Sequence, residues 1–147
     1  MPQFGRPSTD TNNPGSWLDE AGGSTSIYTH IDEASRDDAD YIKTPLAPSS
    51  AVYVTKLSTV EDPVGNVNHI IRYAYQKDAT GGAQIDLTVQ LRQAYVSEAS
   101  LGTLIHSEVH TNIPNGWTAG TFTLSAGEAD TITDYTSLYI RLIGNQV

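Results

Sequence analysis

The residues best suited to catalysis in this chain are its four histidines, His30, His69, His106 and His110. His106 and His110 are separated by three residues, a spacing that in an α-helix places both imidazoles on one face for zinc binding. In the zinc motif of that spacing a glutamate directly follows the first histidine, whereas this chain has Ser107 there. The segment also alternates as a strand does, so we predict no metal site and no metal-dependent catalysis.

A stretch rich in carboxylates offers a second set of possible metal ligands. Five acidic residues fall within the nine positions from 32 to 40, and the densest part runs from Asp37 to Asp40. A calcium loop needs oxygen ligands at alternating positions, a glycine at the turn and a distal glutamate that binds through both oxygens. Because the stretch lacks this spacing, we predict a solvated acidic turn without bound metal.

Other catalytic signatures are missing from the sequence. No Gly-x-Ser-x-Gly turn presents a serine nucleophile, and neither a phosphate-binding loop nor a dinucleotide fingerprint occurs. We therefore expect a protein that is not an enzyme, with no catalytic residues and no cofactor.

The aromatic residues suggest a different activity, the binding of carbohydrate. Trp17, Trp117 and exposed tyrosines beside acidic residues could stack on sugar rings and hydrogen-bond their hydroxyls. This hypothesis predicts a carbohydrate-binding module or a receptor-binding domain. The competing interpretation is that Trp117 closes one end of a β-sandwich.

The clearest secondary-structure pattern lies between residues 121 and 143 and predicts a strand, a short helix and a second strand. Ser125 and Glu128 form the Ser-x-x-Glu pattern of a helix N-cap, so the helix should begin at Ala126. It should end soon afterwards, because the threonines and aspartate that follow are weak helix formers. The second strand alternates through Leu138, Ile140 and Leu142.

Four further strands are predicted upstream, at 51–57, 69–76, 84–92 and 102–111. The strand at 84–92 has the strictest alternation, so its odd-numbered side chains should face the core and its even-numbered ones solvent. The inward residues are Ile85, Leu87, Val89 and Leu91. In the strand at 102–111, Ile105 and Val109 should share one face.

The turns between these strands indicate their arrangement. A polar, Gly-containing turn joins 69–76 to 84–92, so we predict that these two strands pair as an antiparallel hairpin. About six short strands with polar turns predict an all-β fold. The expected architecture is a single antiparallel β-sandwich or jelly roll with one short helix near the C-terminus.

Composition limits the classes of partner. The chain has 147 residues, the length of one domain, and its formal net charge of −9 repels nucleic-acid phosphates. It contains no cysteine, which excludes disulfides and thiolate metal sites. No apolar run approaches the roughly 20 residues of a membrane span, and the N-terminus lacks a signal-peptide pattern. We expect a soluble, unprocessed protein without nucleic-acid or membrane partners.

The first 26 residues differ from the rest, because proline, glycine and polar residues dominate and no apolar periodicity is visible. We predict an extended N-terminal arm over residues 1–26 and a β-sandwich domain over residues 27–147. Phe4, Arg6 and Trp17 are the predicted contacts with a partner, and the bulky Phe4 and Trp17 are the anchors. A disordered tail is the alternative.

Three groups of residues form a recognisable combination along the chain. They are Arg6-Pro7 with Gly15-Ser16-Trp17; Ile31-Asp32-Glu33 with Asp37-Asp38-Ala39-Asp40-Tyr41-Ile42; and Leu124-Ser125-x-x-Glu128-Ala129-Asp130-x-Ile132-Thr133-Asp134-Tyr135. In this combination the chain resembles, over its full length, small proteins encoded in the structural gene clusters of tailed bacteriophages. Some of these are cement or decoration proteins, jelly-roll trimers that add to the outside of an icosahedral head at its local threefold axes.

The resemblance implies a non-enzymatic virion protein that binds the major capsid protein on the outer capsid surface and stabilises the shell as a homotrimer. An acidic β domain with an extended arm is compatible with that role, because many weak symmetric contacts on a lattice add up to firm attachment. The alternative is a carbohydrate-binding module or the receptor-binding domain of a head or tail fibre, with glycans as partners.

Overall fold

A computed structural model describes residues 2–80 and 82–147, and this part of the chain contains nine β-strands and two short helices. In chain order they are β1 (Pro7–Asn12), β2 (Leu18–Asp19), a 3₁₀ helix (Ile27–His30), β3 (Ile42–Lys43), β4 (Ala51–Leu57), β5 (Ile70–Tyr75), β6 (Ile85–Gln93), β7 (Thr103–His110), β8 (Thr118–Thr123), α1 (Ala126–Asp130) and β9 (Leu138–Gln146). The predicted all-β class with one short helix near the C-terminus is confirmed. Neither of these helices is long and apolar enough to cross a membrane.

A five-stranded antiparallel sheet, in the order β1-β4-β9-β6-β7, forms the larger layer. The two-stranded pairs β5–β8 and β2–β3, together with α1 and the 3₁₀ helix, pack over one of its faces. Their buried residues share a single core with the sheet. This core includes Tyr53, Leu87, Val89 and Leu91 from the sheet and Trp17, Ile27, Phe122, Leu124, Ala129 and Ile132 from the chain above it. The result is an antiparallel β-sandwich with unequal layers.

The local signals read from the sequence are confirmed in α1 and β6. The Glu128 amide donates to Ser125 Oγ at 3.3 Å, and the Ser125 amide donates to Glu128 Oε2 at 2.7 Å. These reciprocal bonds start the helix at Ala126. In β6 the odd-numbered residues face the core, where Leu87 and Val89 are buried.

The predicted hairpin between residues 69–76 and 84–92 is wrong. β5 pairs with β8, whereas β6 lies between β9 and β7 in the other layer. In the β5–β8 pair, Tyr73 lies opposite Gly120, and a Cβ at Gly120 would be 2.3 Å from the tyrosine ring. The missing side chain therefore makes room for this ring. Such a contact between distant residues cannot be read from the alternation of β5 alone.

The faces of β7 also differ from the prediction, because a β-bulge interrupts its pairing with β6. The register shift leaves Ile105 without a partner in β6. Ile105 is buried but Val109 is 56% exposed, so the prediction that they share a face is wrong. After the bulge, His106 and His110 lie on the core side instead. Their rings stack on Phe122 of β8 and Tyr75 of β5, in the smaller layer.

The predicted solvent face of β6 is partly covered. Arg92 is only 7% exposed, and its guanidinium donates to Gln90 Oε1 at 2.8 Å and to the Leu101 carbonyl at 3.2 Å. A second, smaller apolar cluster lies on this face. It contains Val52, Val54 and Tyr95, with Leu101, Tyr139 and Ile143 packed against them. The chain after β6 folds back over the strand, which the alternation of β6 does not indicate.

The largest correction concerns residues 1–26, which do not form a separate arm. β1 pairs with β4 as an edge of the main sheet, and Trp17 is 5% exposed within the core. Gly15 allows the loop between them to lie against β4, since a Cβ there would be 2.2 Å from the Val52 nitrogen. The structure thus corrects the boundary at residue 27 and the assignment of Trp17 to a partner. Apart from Pro7, β1 has only polar residues, so it shows no apolar alternation.

Candidate functional site

The exposed N-terminal segment before β1 is the first candidate site. Phe4 is 60% exposed, and the Arg6 guanidinium carbon lies 5.6 Å from the centroid of its ring. The Gln3 side chain exchanges two hydrogen bonds with the backbone of Glu61, at 2.6 and 3.2 Å. The Arg6 carbonyl accepts from the Ser58 amide at 2.7 Å, and the Arg6 amide donates to Ser58 Oγ at 3.1 Å. Phe4 is therefore exposed between two residues that hydrogen bonds hold in place, Gln3 through its side chain and Arg6 through its backbone.

Of the three predicted partner contacts, the structure brings together only Phe4 and Arg6. Trp17 packs in the core with its ring 6.2 Å from that of Tyr53, and its Nε1 donates to the Ala51 carbonyl at 3.1 Å. A contact between Trp17 and another chain would require the core to open. We call Phe4 and Arg6 the N-terminal anchor, and their binding to a partner stays a prediction.

The opposite edge of the main sheet offers a second surface. Within the described ranges no strand pairs with the outer side of β7. Leu104 and Val109 of this strand are 45% and 56% exposed. A free edge with exposed apolar side chains can pair with a strand of another chain.

A cluster of ionisable side chains around His30 is the third candidate. Nδ1 of His30 hydrogen-bonds Asp40 Oδ1 and lies 2.9 Å from Glu20 Oε2. On the other side of the ring, Asp19 Oδ2 lies 3.8 Å from Nε2. Nδ1 and the oxygens of Glu20 and Asp40 all lie within 4.8 Å of one another. We call these four residues the His30 cluster.

Three short elements position the His30 cluster. β2 pairs with β3, which brings Glu20, directly after β2, close to Asp40, two residues before β3. His30 is the last residue of the 3₁₀ helix, which is fixed to the core by the fully buried Ile27. The carboxylate of Asp10 in β1 accepts from the first two amides of this helix, at 3.0 and 2.9 Å. The start of the helix that ends at His30 is thus held by both the core and β1.

Burial and charge act in opposite directions on His30. Burial lowers its pKa, but the hydrogen bond to Asp40 and the charges of Asp40, Glu20 and Asp19 outweigh this effect and raise the pKa above its ordinary value. Burial also raises the pKa of Glu33, as does the nearby charge of Asp40. Glu20 Oε2 and Glu33 Oε1 are shielded from solvent and have no hydrogen-bond partner in the described part of the chain. His30 is therefore surrounded by more carboxylate oxygens than its two ring nitrogens can hydrogen-bond.

Sequence reasoning missed the His30 cluster, because it treated Asp40 as part of a solvated turn. Asp37 does cap a local turn, accepting from the Ala39 amide at 2.9 Å. Asp40 instead turns toward His30, ten residues earlier in the chain. No motif connects these positions with Glu20, so the sequence held no signal that could have grouped them.

The two histidines with zinc-like spacing lie in separate hydrogen-bond networks. His106 Nδ1 donates to Glu128 Oε1 at 2.6 Å, and its Nε2 lies 3.4 Å from Glu108 Oε2. The two ring nitrogens of His110 hydrogen-bond two tyrosine hydroxyls, at 2.6 Å for Tyr73 and 3.1 Å for Tyr75. Burial raises the pKa of Tyr73 to about 12, with smaller contributions from the charges of Glu108 and Tyr75. Both imidazoles thus link β7 to the smaller layer, His106 to α1 and His110 to β5.

Trp117, the candidate for stacking on sugars, is half-buried. Its ring forms a T-shaped pair with Tyr41 at 5.7 Å, and the Arg36 guanidinium carbon lies 6.0 Å from the centroid of its ring. Arg36 is also paired with Asp38. The polar and aromatic groups that sugar binding needs are therefore neighbours on this surface.

Among the concavities on the surface of the described residues are two of about 360 and 390 Å³. The first lies around Gly15, Pro45 and Ser50, and the second around Val64, Asp130 and Tyr135. Neither is lined by a histidine, and neither includes the N-terminal anchor or the His30 cluster.

The fold defines the class of this protein as an antiparallel β-sandwich with a short C-terminal helix. No protein-family model matches the chain, and neither the curated proteins nor the solved structures include a significant match.

Proposed function

We propose that this protein is a non-enzymatic structural component of a bacteriophage virion, a cement protein that binds the major capsid protein on the outside of the head as a homotrimer. The observation that carries the proposal is the N-terminal anchor, in which Phe4 is 60% exposed between two residues held by hydrogen bonds, Gln3 and Arg6. The resemblance to phage structural proteins supplies the partner.

The anchor has the chemistry of a protein-binding contact. Aromatic and arginine side chains contribute most of the binding energy at many protein interfaces. A backbone that is ordered before binding loses little conformational entropy when the complex forms. Arg6 also places a positive charge beside Phe4 on a chain with eight basic and 17 acidic residues. The anchor can therefore contact an acidic or polar patch that the rest of this acidic surface would repel.

The free edge of β7 supports association between copies. Its unpaired backbone and the exposed Leu104 and Val109 can pair with another subunit. In a trimer three anchors face the same lattice, so each needs only modest affinity. A trimer with one anchor per subunit thus fits a shell that repeats the same binding position.

Binding to empty heads tests the proposal. Heads assembled from the major capsid protein of the same gene cluster are mixed with this protein, and co-sedimentation gives affinity and stoichiometry. Phe4→Ala should weaken each contact by about 2 kcal/mol, or roughly 30-fold in Kd. Leu46→Ala is the matched control, because Leu46 is 94% exposed on another loop, and it should bind as the wild type does.

Two results would count against the proposal. Wild-type protein that does not bind heads refutes the cement function. Binding that Phe4→Ala leaves unchanged refutes the N-terminal anchor as the attachment point. Sedimentation equilibrium of the free protein measures the trimer separately.

Glycan binding is a second candidate, which the Tyr41–Trp117 pair with Arg36 and Asp38 favours. Under this hypothesis the isolated protein binds bacterial surface polysaccharide, and Trp117→Ala abolishes the binding. Binding to polysaccharide without binding to heads would favour this function over the cement function.

A further inference from the structure

The His30 cluster has a geometry that hydrogen bonds alone do not satisfy. Nδ1 of a histidine carries at most one proton, and here Asp40 accepts it. Glu20 Oε2 approaches the same nitrogen at 2.9 Å, yet it is shielded from solvent and has no hydrogen-bond partner among the described residues. A buried carboxylate oxygen without a partner is unfavourable. A cation between the three atoms would remove this penalty: the Nδ1 proton is released to solvent, and the ion accepts a lone pair from Nδ1 and from each carboxylate.

We propose that Glu20, His30 and Asp40 bind one divalent first-row transition-metal ion, for which Zn²⁺ is the probe. Their donor atoms all lie within 4.8 Å of one another. Tetrahedral ligands that are 2.0–2.2 Å from a zinc ion lie about 3.3–3.6 Å apart, so Glu20 Oε2, now 2.9 Å from Nδ1, and the closer Asp40 Oδ1 need to move outward by only about 1 Å or less to share one ion. A neutral imidazole and two carboxylates balance the charge of the ion. The sequence predicted no metal here because these three ligands belong to no motif.

The surroundings of the three ligands also fit a metal site. Asp19 lies 3.8 Å from the free Nε2 of His30, the side of the ring on which metal-binding histidines commonly meet an outer carboxylate. The Gly23 amide fixes Asp19 by donating to its Oδ1 at 2.6 Å. Lys43 is a nearby cation, but its ammonium donates to the main-chain carbonyl of Glu20 at 2.8 Å. The Glu20 carboxylate thus remains available to the ion.

The ligand types determine which ions bind. Imidazole with two carboxylates suits zinc, manganese or cobalt, whereas Ca²⁺ and Mg²⁺ prefer sites made only of oxygen atoms. Three protein ligands leave the remaining positions to water. Because the ligands come from the end of β2, the 3₁₀ helix and the chain before β3, the bound ion fastens these three elements together. Its role is structural and distinct from contact with a capsid.

Metal titration of the whole protein tests the site. After treatment with EDTA and its removal, the protein is titrated with ZnCl₂ by calorimetry and followed in thermal melts. We expect one ion per chain, and a Tm increase of about 5–10 °C at free Zn²⁺ 100-fold above Kd. Ca²⁺ and Mg²⁺ should give no comparable increase. His30→Gln and Glu20→Gln should each weaken Zn²⁺ binding at least about 10-fold, no less than the loss of an outer partner of a ligand does.

His106→Gln is the matched control. His106 also lies between two carboxylates, but they meet opposite ring nitrogens, at 2.6 Å for Glu128 and 3.4 Å for Glu108, so they do not converge on one ion. This variant should bind Zn²⁺ as tightly as the wild type does.

Two outcomes refute the site. They are wild-type protein that binds no Zn²⁺, and a folded His30→Gln variant that binds as tightly as the wild type. If neither ligand variant folds, Co²⁺ added to the wild-type protein decides the question. A visible absorption band that saturates at one ion per chain and that Zn²⁺ abolishes supports the site, and the absence of such a band refutes it.

Discussion

Replacement of Trp17 by alanine tests whether the N-terminal residues belong to the core of the domain. Trp17 is 5% exposed, packs against Tyr53 and donates to the Ala51 carbonyl at 3.1 Å. Truncation of a buried tryptophan costs about 3–5 kcal/mol, including the cavity left behind. The carbonyl that loses its donor adds about 1 kcal/mol. We therefore expect the free energy of unfolding to fall by about 4–6 kcal/mol.

Urea unfolding followed by far-UV circular dichroism measures this loss. With a slope of roughly 2 kcal/mol per molar urea, the midpoint should fall by about 2–3 M. Trp17→Phe keeps most of the apolar contact but removes the donor, so it should cost less, about 1–3 kcal/mol. Phe4→Ala is the control within the same segment, because Phe4 is 60% exposed, and it should change stability by less than about 0.5 kcal/mol.

Two results would contradict this reasoning. An unchanged midpoint in Trp17→Ala would mean that residues 1–26 contribute no core and that the predicted arm was correct. An equal loss in Phe4→Ala would mean that Phe4 is packed in the free protein, which would remove the basis of the N-terminal anchor.

Two further predictions concern the core and the helix cap. Leu87→Ala should lower the free energy of unfolding, measured with urea, by about 2–5 kcal/mol. Leu104→Ala, at a 45% exposed position of the same sheet, should lower it by only a few tenths of a kcal/mol. Similar losses at both sites would show that β6 is not buried as described. Hydrogen bonds from His106 and from the amide and hydroxyl of Ser125 lower the pKa of Glu128 to about 2. Because the folded-state pKa is below the ordinary value of 4.5, this stabilisation is present above about pH 4.5 and is lost as the pH falls towards 2. In Glu128→Gln the urea midpoint should therefore fall less steeply than in the wild type between pH 4.5 and 2. An unchanged slope would disprove the assigned bonds.

The features that the sequence predicted correctly depend on residues close together in the chain. Ser125 and Glu128 are three residues apart, and their bonds need only one turn of helix. The inward face of β6 follows from alternation within the strand, which persists whatever strand it pairs with. Local geometry therefore decides both features before the fold is known.

The features that were missed depend on contacts between distant residues. β5 joins β8 and not β6, and in this pair the Tyr73 ring occupies the space above Gly120, 47 positions later. β1 is an edge strand held by polar groups: the Asp10 carboxylate accepts from the Tyr53 hydroxyl at 2.6 Å, and the Thr55 hydroxyl donates to the Thr9 carbonyl at 3.0 Å. Apolar periodicity does not reveal a strand of this kind. The His30 cluster was missed for the same reason, because its members come together only when β2 and β3 pair.

β1 joins the two proposed sites mechanically. The N-terminal anchor leads directly into this strand, and Asp10 within it holds the 3₁₀ helix that ends at His30. β1 lies at the sheet edge with two register shifts against β4, so a pull on Phe4 by the proposed partner would load the Arg6–Ser58 hydrogen bonds first and this irregular ladder next. Release of β1 would also withdraw Asp10 from the helix amides and from Tyr53. An ion at the His30 cluster would fix the other end of the same helix and add to the cost of that release. The metal-bound protein should therefore hold its anchor more firmly than the metal-free protein does.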